Sequence, residues 1–402
     1  MAETVAVEAA PRWDHRQWTL LFVLSGNMIL DALEVSVVLL ALPVIGADLH
    51  LTLWTVQWLM SGFALGFAAL LIAGPVLAAR WGRRRTYLCA MALFVLASVV
   101  GGAAHSAALL IASRVVKGFA AALTAPAGLA VITAEFPPGA QQRKAVSIYS
   151  LFGAAGFTAG LLLSGALTAA SWRWVFLFPA PVALALLVVG WRAIPAAAAP
   201  RPPRVRLSLL RNGYLSRSAL GAATLNGGYI GLLLLITVQA RQLFQWQPWQ
   251  LALALLPACV PLVIAAPFGG LLVARFGTAR LIAAGALLAL AGEVLYLARP
   301  LPESYPAGLL PVLLLVEAGF VVSFAALNMQ ATATVEPALR GVAVPLYQTG
   351  VQLGAVVMLP VVAASLTVSD DYRPALLAIV VAGAIGAVTG VSGLLPSRKV
   401  QL

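Results

Sequence analysis

Twelve times in 402 residues the chain runs for about twenty residues with almost nothing but apolar side chains. That is the length an α-helix needs to cross a ~30 Å hydrocarbon core at about 1.5 Å per residue. The runs do not alternate and far exceed about ten residues, which excludes membrane strands. With 62% apolar and 9% charged residues, too little polar surface remains to clothe two or three water-soluble domains. A soluble enzyme is ruled out, and the expected fold class is an all-α membrane protein. Spans are expected at 18–44, 54–78, 86–105, 108–134, 145–169, 174–194, 218–242, 249–273, 280–299, 308–334, 342–367 and 374–395.

The net charge of +12 would point to nucleic acid in a soluble protein, but its distribution has another origin. Nineteen of the 25 Lys and Arg residues fall in segments on the side of the two termini, four in the opposite loops (Arg173, Arg241, Arg299, Arg373) and two, Arg114 and Lys117, within a span. By the positive-inside rule both termini are expected to be cytoplasmic, and the chain is read as a multi-pass membrane protein with no nucleic-acid partner. The first seventeen residues have no apolar core, so no cleavable signal peptide is expected. Cys89 and Cys259 lie in separate spans, which suggests neither a disulfide framework nor a metal cluster. Phosphate-binding loops, nucleophile elbows and dinucleotide fingerprints do not occur in the sequence, so neither a cofactor nor a nucleotide-driven pump is indicated.

Between the sixth and seventh spans, Pro195, Pro200, Pro202 and Pro203 alternate with Ala, Arg201, Arg204 and Arg206, a composition that reads as a linker. The expected organisation is a tail (1–17), a six-helix bundle (18–194), the linker (195–217), a second six-helix bundle (218–395) and a tail (396–402). Shifting the sequence by 195 residues pairs Gly74, Leu77, Ala79, Arg80, Gly82 and Arg85 with Gly269, Leu272, Ala274, Arg275, Gly277 and Arg280, and also Trp54 with Trp249 and Asp31 with Asn226. The halves are duplicates. An even number of spans per half gives both copies one orientation, related by an axis along the membrane normal.

Several separated motifs carry a family resemblance. Glu34–Pro43 (EVSVVLLALP) places an acid seven residues before Ala-Leu-Pro; Gly74–Arg85 (GPVLAARWGRRR) is a glycine- and arginine-rich loop; Arg114–Pro126 (RVVKGFAAALTAP), Trp172–Phe176 and Gly341–Gly354 complete the set. Together they resemble the major facilitator superfamily, and within it the drug:proton antiporters that usually have fourteen spans. Glu34 stands where the family usually has Asp and Lys117 where it usually has Gln, and two further departures bear on what the resemblance implies. Ala79 stands where the loop signature has an Asp that latches the Arg cluster, and Leu161 follows Gly160 where the fifth-span motif has Pro.

The resemblance implies two pseudo-symmetric bundles, a cavity between them bordered by spans one and four, and proton-coupled efflux of an amphipathic small molecule. A metabolite importer or uniporter of the same fold is the alternative. Charges within spans cost about 2.5–3.5 kcal/mol each, so those that persist face a cavity, pair or work. Asp31 and Glu34 share one face of the first span, and Arg114 and Lys117 share one face of the fourth. Two acids opposite two bases form the expected proton-coupling set, with Glu34 as carrier because it occupies the family's acidic position. Substrate contacts are expected from Glu34, Asn226, Tyr229, Glu317, Phe63, Phe152, Tyr149 and Tyr347, with Phe67 and Phe324 beside them. Glu293 is expected near the membrane interface or paired, and ionisable chemistry is expected to concentrate in the first half. Conformational switching is assigned to Gly74, Arg80, Gly82, Arg83, Arg84, Arg275 and Gly277 in the loops and to Gly156 and Gly160, whose spacing lets a helix approach closely. Pro257, Pro261 and Pro267 make the eighth span a candidate for bending. Membrane lipids and a monomeric state complete the expected partners.

Overall fold

The computed structural model describes residues 13–136, 139–195, 207–299, 304–336, 339–369 and 371–395. Twelve helical elements long and apolar enough to cross a membrane appear among the described residues. In the first half these are α1 (His15–Asp48), α2 (Leu53–Leu71), α3 (Arg83–Gly102), α4 (Ala107–Ala125), α5 (Lys144–Ala170) and α6 (Arg173–Ala193). In the second they are α7 (Gly213–Leu243), α8 (Leu256–Phe276), α9 (Thr278–Ala298), α10 (Tyr305–Ala333), α11 (Arg340–Val368) and α12 (Arg373–Ser392). Both tails and the Pro- and Arg-rich part of the linker lie outside the described residues, whereas Leu207–Arg211 forms a short 3₁₀ turn and the helix of α7 already starts at Gly213.

Packing repeats with the sequence. In the first half α1 lies on α5 and α6, α4 on α2 and α3, and α3 on α6. The second half repeats this with α7 on α11 and α12, α10 on α9, and α9 on α12. The bundles meet through α2 against α11 and α5 against the α8 region, two contacts that exchange under the same two-fold relation. Glycines mark the closest approaches. Gly118 of α4 abuts the α2 backbone at Phe63 and Gly66, and Gly354 of α11 abuts the α7 backbone at Ala223. Any Cβ there would strike main chain.

The duplicated loop is equally regular. Gly82 has φ 88° and ψ 141°, and Gly277 has φ 78° and ψ 152°. Those angles lie in a region that essentially only glycine occupies. Each glycine ends a short helix (Gly74–Trp81 or Gly269–Phe276) and reverses the chain into the next span.

Several spans are not continuous, and α1 and the α8 region bear most on the site. The helix of α1 runs from His15 to Ser36, yields to a 3₁₀ turn at Leu39–Ala41 and resumes at Leu42 with Pro43 in its first turn. The α8 region breaks into Pro248–Ala254, Leu256–Ala258, Val260–Ala265, Ala266–Phe268 and Gly269–Phe276, with Pro257, Pro261 and Pro267 near the starts of pieces. Proline lacks the donor a continuous helix needs, so the bend expected there is a series of restarts.

The buried apolar core is not evenly shared. At the end away from the termini one cluster joins both halves: Val38, Leu40 and Phe176 with Ile230, Leu233, Leu255 and Leu359. Towards the termini the halves keep separate cores, one around Leu24, Tyr87 and Ile132, the other around Ala222, Leu327 and Tyr347.

Candidate functional site

Glu34 lies in the last turns of the α1 helix before its break, and α4 presents Arg114 and Lys117 to it. All three side chains are fully buried. Arg114 Nη1 donates to Glu34 Oε2, Lys117 Nζ donates to Oε1 at 2.7 Å, and Arg114 Nη2 donates to the Glu34 carbonyl at 2.7 Å. The remaining Arg114 donor in use, Nε, reaches the Leu59 carbonyl of α2 at 2.6 Å. Aromatic faces complete the lining. The Phe63 ring lies 4.7 Å from the guanidinium carbon, and Phe94 and Phe176 lie 5.0 and 5.7 Å from Lys117 Nζ. One carboxylate thus ties three helices together through two cations, inside the first bundle and closed to water.

Asp31 does not join this set. Asn27 Nδ2 donates to it at 2.8 Å and Thr124 Oγ1 at 3.2 Å. The expected pairing of two acids with two bases is therefore replaced by one acid with two bases, plus a second acid held by neutral donors one turn nearer the termini. The reason is reach. Glu34 faces both α4 cations, whereas Asp31 faces α4 two turns beyond Lys117, where Thr124 stands.

In the second half Tyr229 and Glu317 form another cluster. The Tyr229 hydroxyl donates to the Ala258 carbonyl, which the breaks in the α8 region leave accessible. Its ring packs 4.8 Å from Phe320 of α10 and 5.9 Å from Phe157 of α5. Phe320 in turn stacks on Phe324 at 4.9 Å. Glu317 is fully buried one turn before Phe320, with the Tyr229 hydroxyl and the Leu262 backbone N–H beside its carboxyl. Phe157 belongs to the first bundle, so this cluster straddles the seam between the halves. Asn226 Nδ2 donates to the Val351 carbonyl at 3.0 Å and ties α7 to α11.

Several expected residues are not brought together. Phe63 and Phe67 pack in the α2–α4 core, Tyr149 in the core of the first bundle with its hydroxyl on the Ala125 carbonyl at 3.1 Å, and Tyr347 in the core of the second. Phe152 is half-buried on α5. They line no common cavity among the described residues. Phe157 and Phe320 were not singled out from sequence, although Phe320 follows Glu317 at helical spacing and was the available signal.

The expectation that ionisable chemistry concentrates in the first half is also corrected: Glu317 and Glu293 are buried in the second. Neither forms an ion pair among the described residues, so the pairing expected of Glu293 is not found there. Gly156 and Gly160 pack against Ile29, Ala32 and Leu33 of α1 within their own bundle, while Gly165 is the α5 glycine that meets the other half, at Pro248 and Trp249.

In the basic loop, Arg84 Nη2 donates to the Trp191 carbonyl in the last turn of α6, a favourable place for a cation. Ala79 is buried. Among the described residues Arg80, Arg83, Arg84 and Arg275 form no ion pair, and Gly74 packs against the Ala122 carbonyl of α4.

Comparison with known proteins agrees with this architecture. The chain is 35% identical over 228 residues to the cephamycin export protein CmcT of Amycolatopsis lactamdurans, covering 52% of this chain and 47% of that protein. It is 37% identical over 183 residues to the puromycin resistance protein pur8 of Streptomyces alboniger, covering 45% and 36%. With the multidrug efflux pump LfrA of Mycolicibacterium smegmatis it shares 34% over 203 residues, covering 50% and 40%. The matches therefore span less than half of each of these relatives. Among solved structures, a bacterial homolog of the human lysosomal transporter Spinster, inward-facing and unoccupied, superposes with a TM-score of 0.75 at 19% identity, over 95% of this chain and 98% of that one. The nucleoside transporter NupG superposes at 0.74 with 11% identity, over 94% and 100%. These are transporters rather than enzymes. Residues 24–359 match the family model described as Major Facilitator Superfamily, and the chain belongs to that family.

Proposed function

We propose that the protein exports an amphipathic small molecule across a bacterial cytoplasmic membrane in exchange for protons, by alternating access to a site between the two bundles. The observation that carries this reading is the link from Glu34 to both Arg114 and Lys117. A proton arriving at that carboxylate cancels the charge that holds α4 to α1, next to the break at Leu39–Ala41 where α1 has the freedom to move. Proton binding and helix position are then alternatives that draw on the same bonds, and differential affinity between states drives the exchange. The relatives named for export of cephamycin, resistance to puromycin and multidrug efflux support the direction and the substrate class.

Substrate contact falls to the seam cluster of Tyr229, Phe157, Phe320 and Glu317, where aromatic faces accept an apolar body and the Glu317 carboxyl supplies a polar anchor. With both termini cytoplasmic, the shared core closes the outer end and the separate cores lie on the inner side, an arrangement suited to loading from the cytoplasm. The monomer is the working unit, and basic loop residues such as Arg83 and Arg85 contact anionic lipid headgroups.

The test is proton release from inverted membrane vesicles, read with a pH-sensitive dye on adding lipophilic cations, neutral amphiphiles or small anions in turn. One class is expected to release protons in the wild type and not in Glu34→Gln. If labelled compounds equilibrate while none moves protons, the protein is a uniporter. The absence of a latching acid beside the Arg cluster at Ala79 is the observation that favours that second reading.

A further inference from the structure

Nothing described so far uses the carboxyl of Glu293 on α9. The residue is 3% exposed, its Oε2 has no hydrogen-bond partner, and it forms no ion pair among the described residues. It does not face the seam. Its neighbours are Gly228 of α7 and Gly383 of α12, helices of its own bundle. A Cβ on Gly228 would stand 2.8 Å from Oε1, and one on Gly383 would overlap Oε2. Two glycines on facing helices leave a niche the size of this carboxyl.

A narrow cavity of about 20 Å³ lies against Glu293, and Ala286, Ser323, Thr224 and Gly386 are among the residues that line it. It holds about one water. Thr224 Oγ1 donates to the Gly221 carbonyl at 3.0 Å and Ser323 Oγ to the Gly319 carbonyl at 2.6 Å, which leaves the lone pairs of both hydroxyls to accept from such a water.

No other titratable group competes for the carboxyl. On α9 itself the Tyr296 hydroxyl donates to Gln239, and Arg280 lies at the terminal end of the helix. On α10 the only acid, Glu317, lies beside Phe320 and Tyr229; on α7 Tyr229 is turned to the seam, and Arg217 donates to its own Gly213 carbonyl at 3.2 Å. α12 contributes only Arg373, at its start, and the α8 region Arg275, which lies against Phe276, and Cys259, whose thiol donates to the Leu255 carbonyl. A bare carboxylate enclosed in apolar surroundings is costly enough that the group must hold a cation. One carboxyl and two hydroxyls with space for about one water are too few oxygens for a multiply coordinated metal ion, and they suit a proton. In the first bundle the residue 195 positions earlier, Ser98, is likewise buried and unpartnered, so the acid is an addition made to one copy of the repeat.

We propose that Glu293 is a second proton-binding site, inside the second bundle, which exchanges its proton through the cavity lined by Thr224 and Ser323. This site is separate from Glu34 and does not depend on the transport reading.

The test uses the full chain in liposomes and infrared difference spectra recorded as the buffer is stepped from acid to alkaline, with protons as the only added ligand. The expected result is a protonated-carboxyl carbonyl band that disappears on alkalinisation, persists in Glu34→Gln and is absent from Glu293→Gln. In the Thr224→Val, Ser323→Ala double variant the band remains, but its shift in heavy water is several-fold slower. Should Glu293→Gln fail to fold, Gly383→Ala serves instead, since its methyl must displace the carboxyl and move the same band. The proposal is overturned if the band is unchanged in Glu293→Gln or in Gly383→Ala. It is also overturned if the wild-type band ignores pH, or if sodium ions at constant pH remove it.

Discussion

At the scale of single residues, the Glu34 cluster makes the sharpest prediction. Removing one partner of a buried ion pair leaves an uncompensated charge, which typically costs about 3–5 kcal/mol. Arg114→Met is therefore expected to lower the thermal midpoint of the detergent-solubilised protein sharply, and adding Glu34→Gln in the same chain is expected to recover part of the loss. A double-mutant cycle on those two positions measures the coupling; additive losses would mean that the pair is not energetically linked. Lys117→Gln, which restores the residue the family usually has, is expected to fold normally, because Arg114 still faces the carboxylate. A milder outcome is expected at the seam. Phe320→Ala removes the ring against Tyr229 and, on the proposed reading, is expected to raise the apparent KM for transported compounds several-fold with little change in protein level, checked by vesicle uptake and immunoblot. The ionic residues were legible in the sequence because a charge in an apolar run has high contrast. Phe157 and Phe320 were not, since one more aromatic side chain among apolar ones carries no contrast, and the orientation of Glu293 was hidden because apolar residues surround α9 on every face.

Among the elements, what is legible and what is not divides differently. The lengths of the twelve spans and the division into halves follow from where polar residues interrupt the apolar runs, and Gly82 with Gly277 announced the duplicated reversal. Which helices touch did not follow, because spans that are apolar all round have no face to read. Glycines decide the contacts instead. Gly354→Val would drive a side chain into the α7 backbone at Ala223, an overpacking cost of about 1–3 kcal/mol or more. Its thermal midpoint is expected to fall, whereas Gly341→Val, at a position with open space around it, is expected to leave the midpoint unchanged. Comparison of the two separates packing from helix propensity. The prolines of the α8 region have a related role. They end the regular ladder where the Cys259 carbonyl accepts from Thr158 of the other half at 3.3 Å, so a broken helix supplies acceptors across the seam.

For the molecule as a whole, the shared core and the hydrogen bond from Thr158 to Cys259 describe one closed end. Thr158→Cys in a Cys89→Ala background is expected to form a disulfide with the native Cys259 under mild oxidation. Proteolysis in the linker would then yield two fragments that separate only after reduction, and export is expected to stop when oxidised and return when reduced. If the cross-link forms and export continues, the two halves do not part at that point during turnover.

The unequal core has a consequence for the surrounding lipid. Two bundles fused at one end and holding separate cores at the other displace different cross-sectional areas from the two leaflets, and reversing the arrangement transfers area from one leaflet to the other. Work done against lateral pressure in the bilayer thereby enters the equilibrium between the two forms. Lipids with small headgroups, which crowd their acyl chains, and stretched membranes, which relieve that crowding, are expected to shift the population in opposite directions without touching any residue of the site.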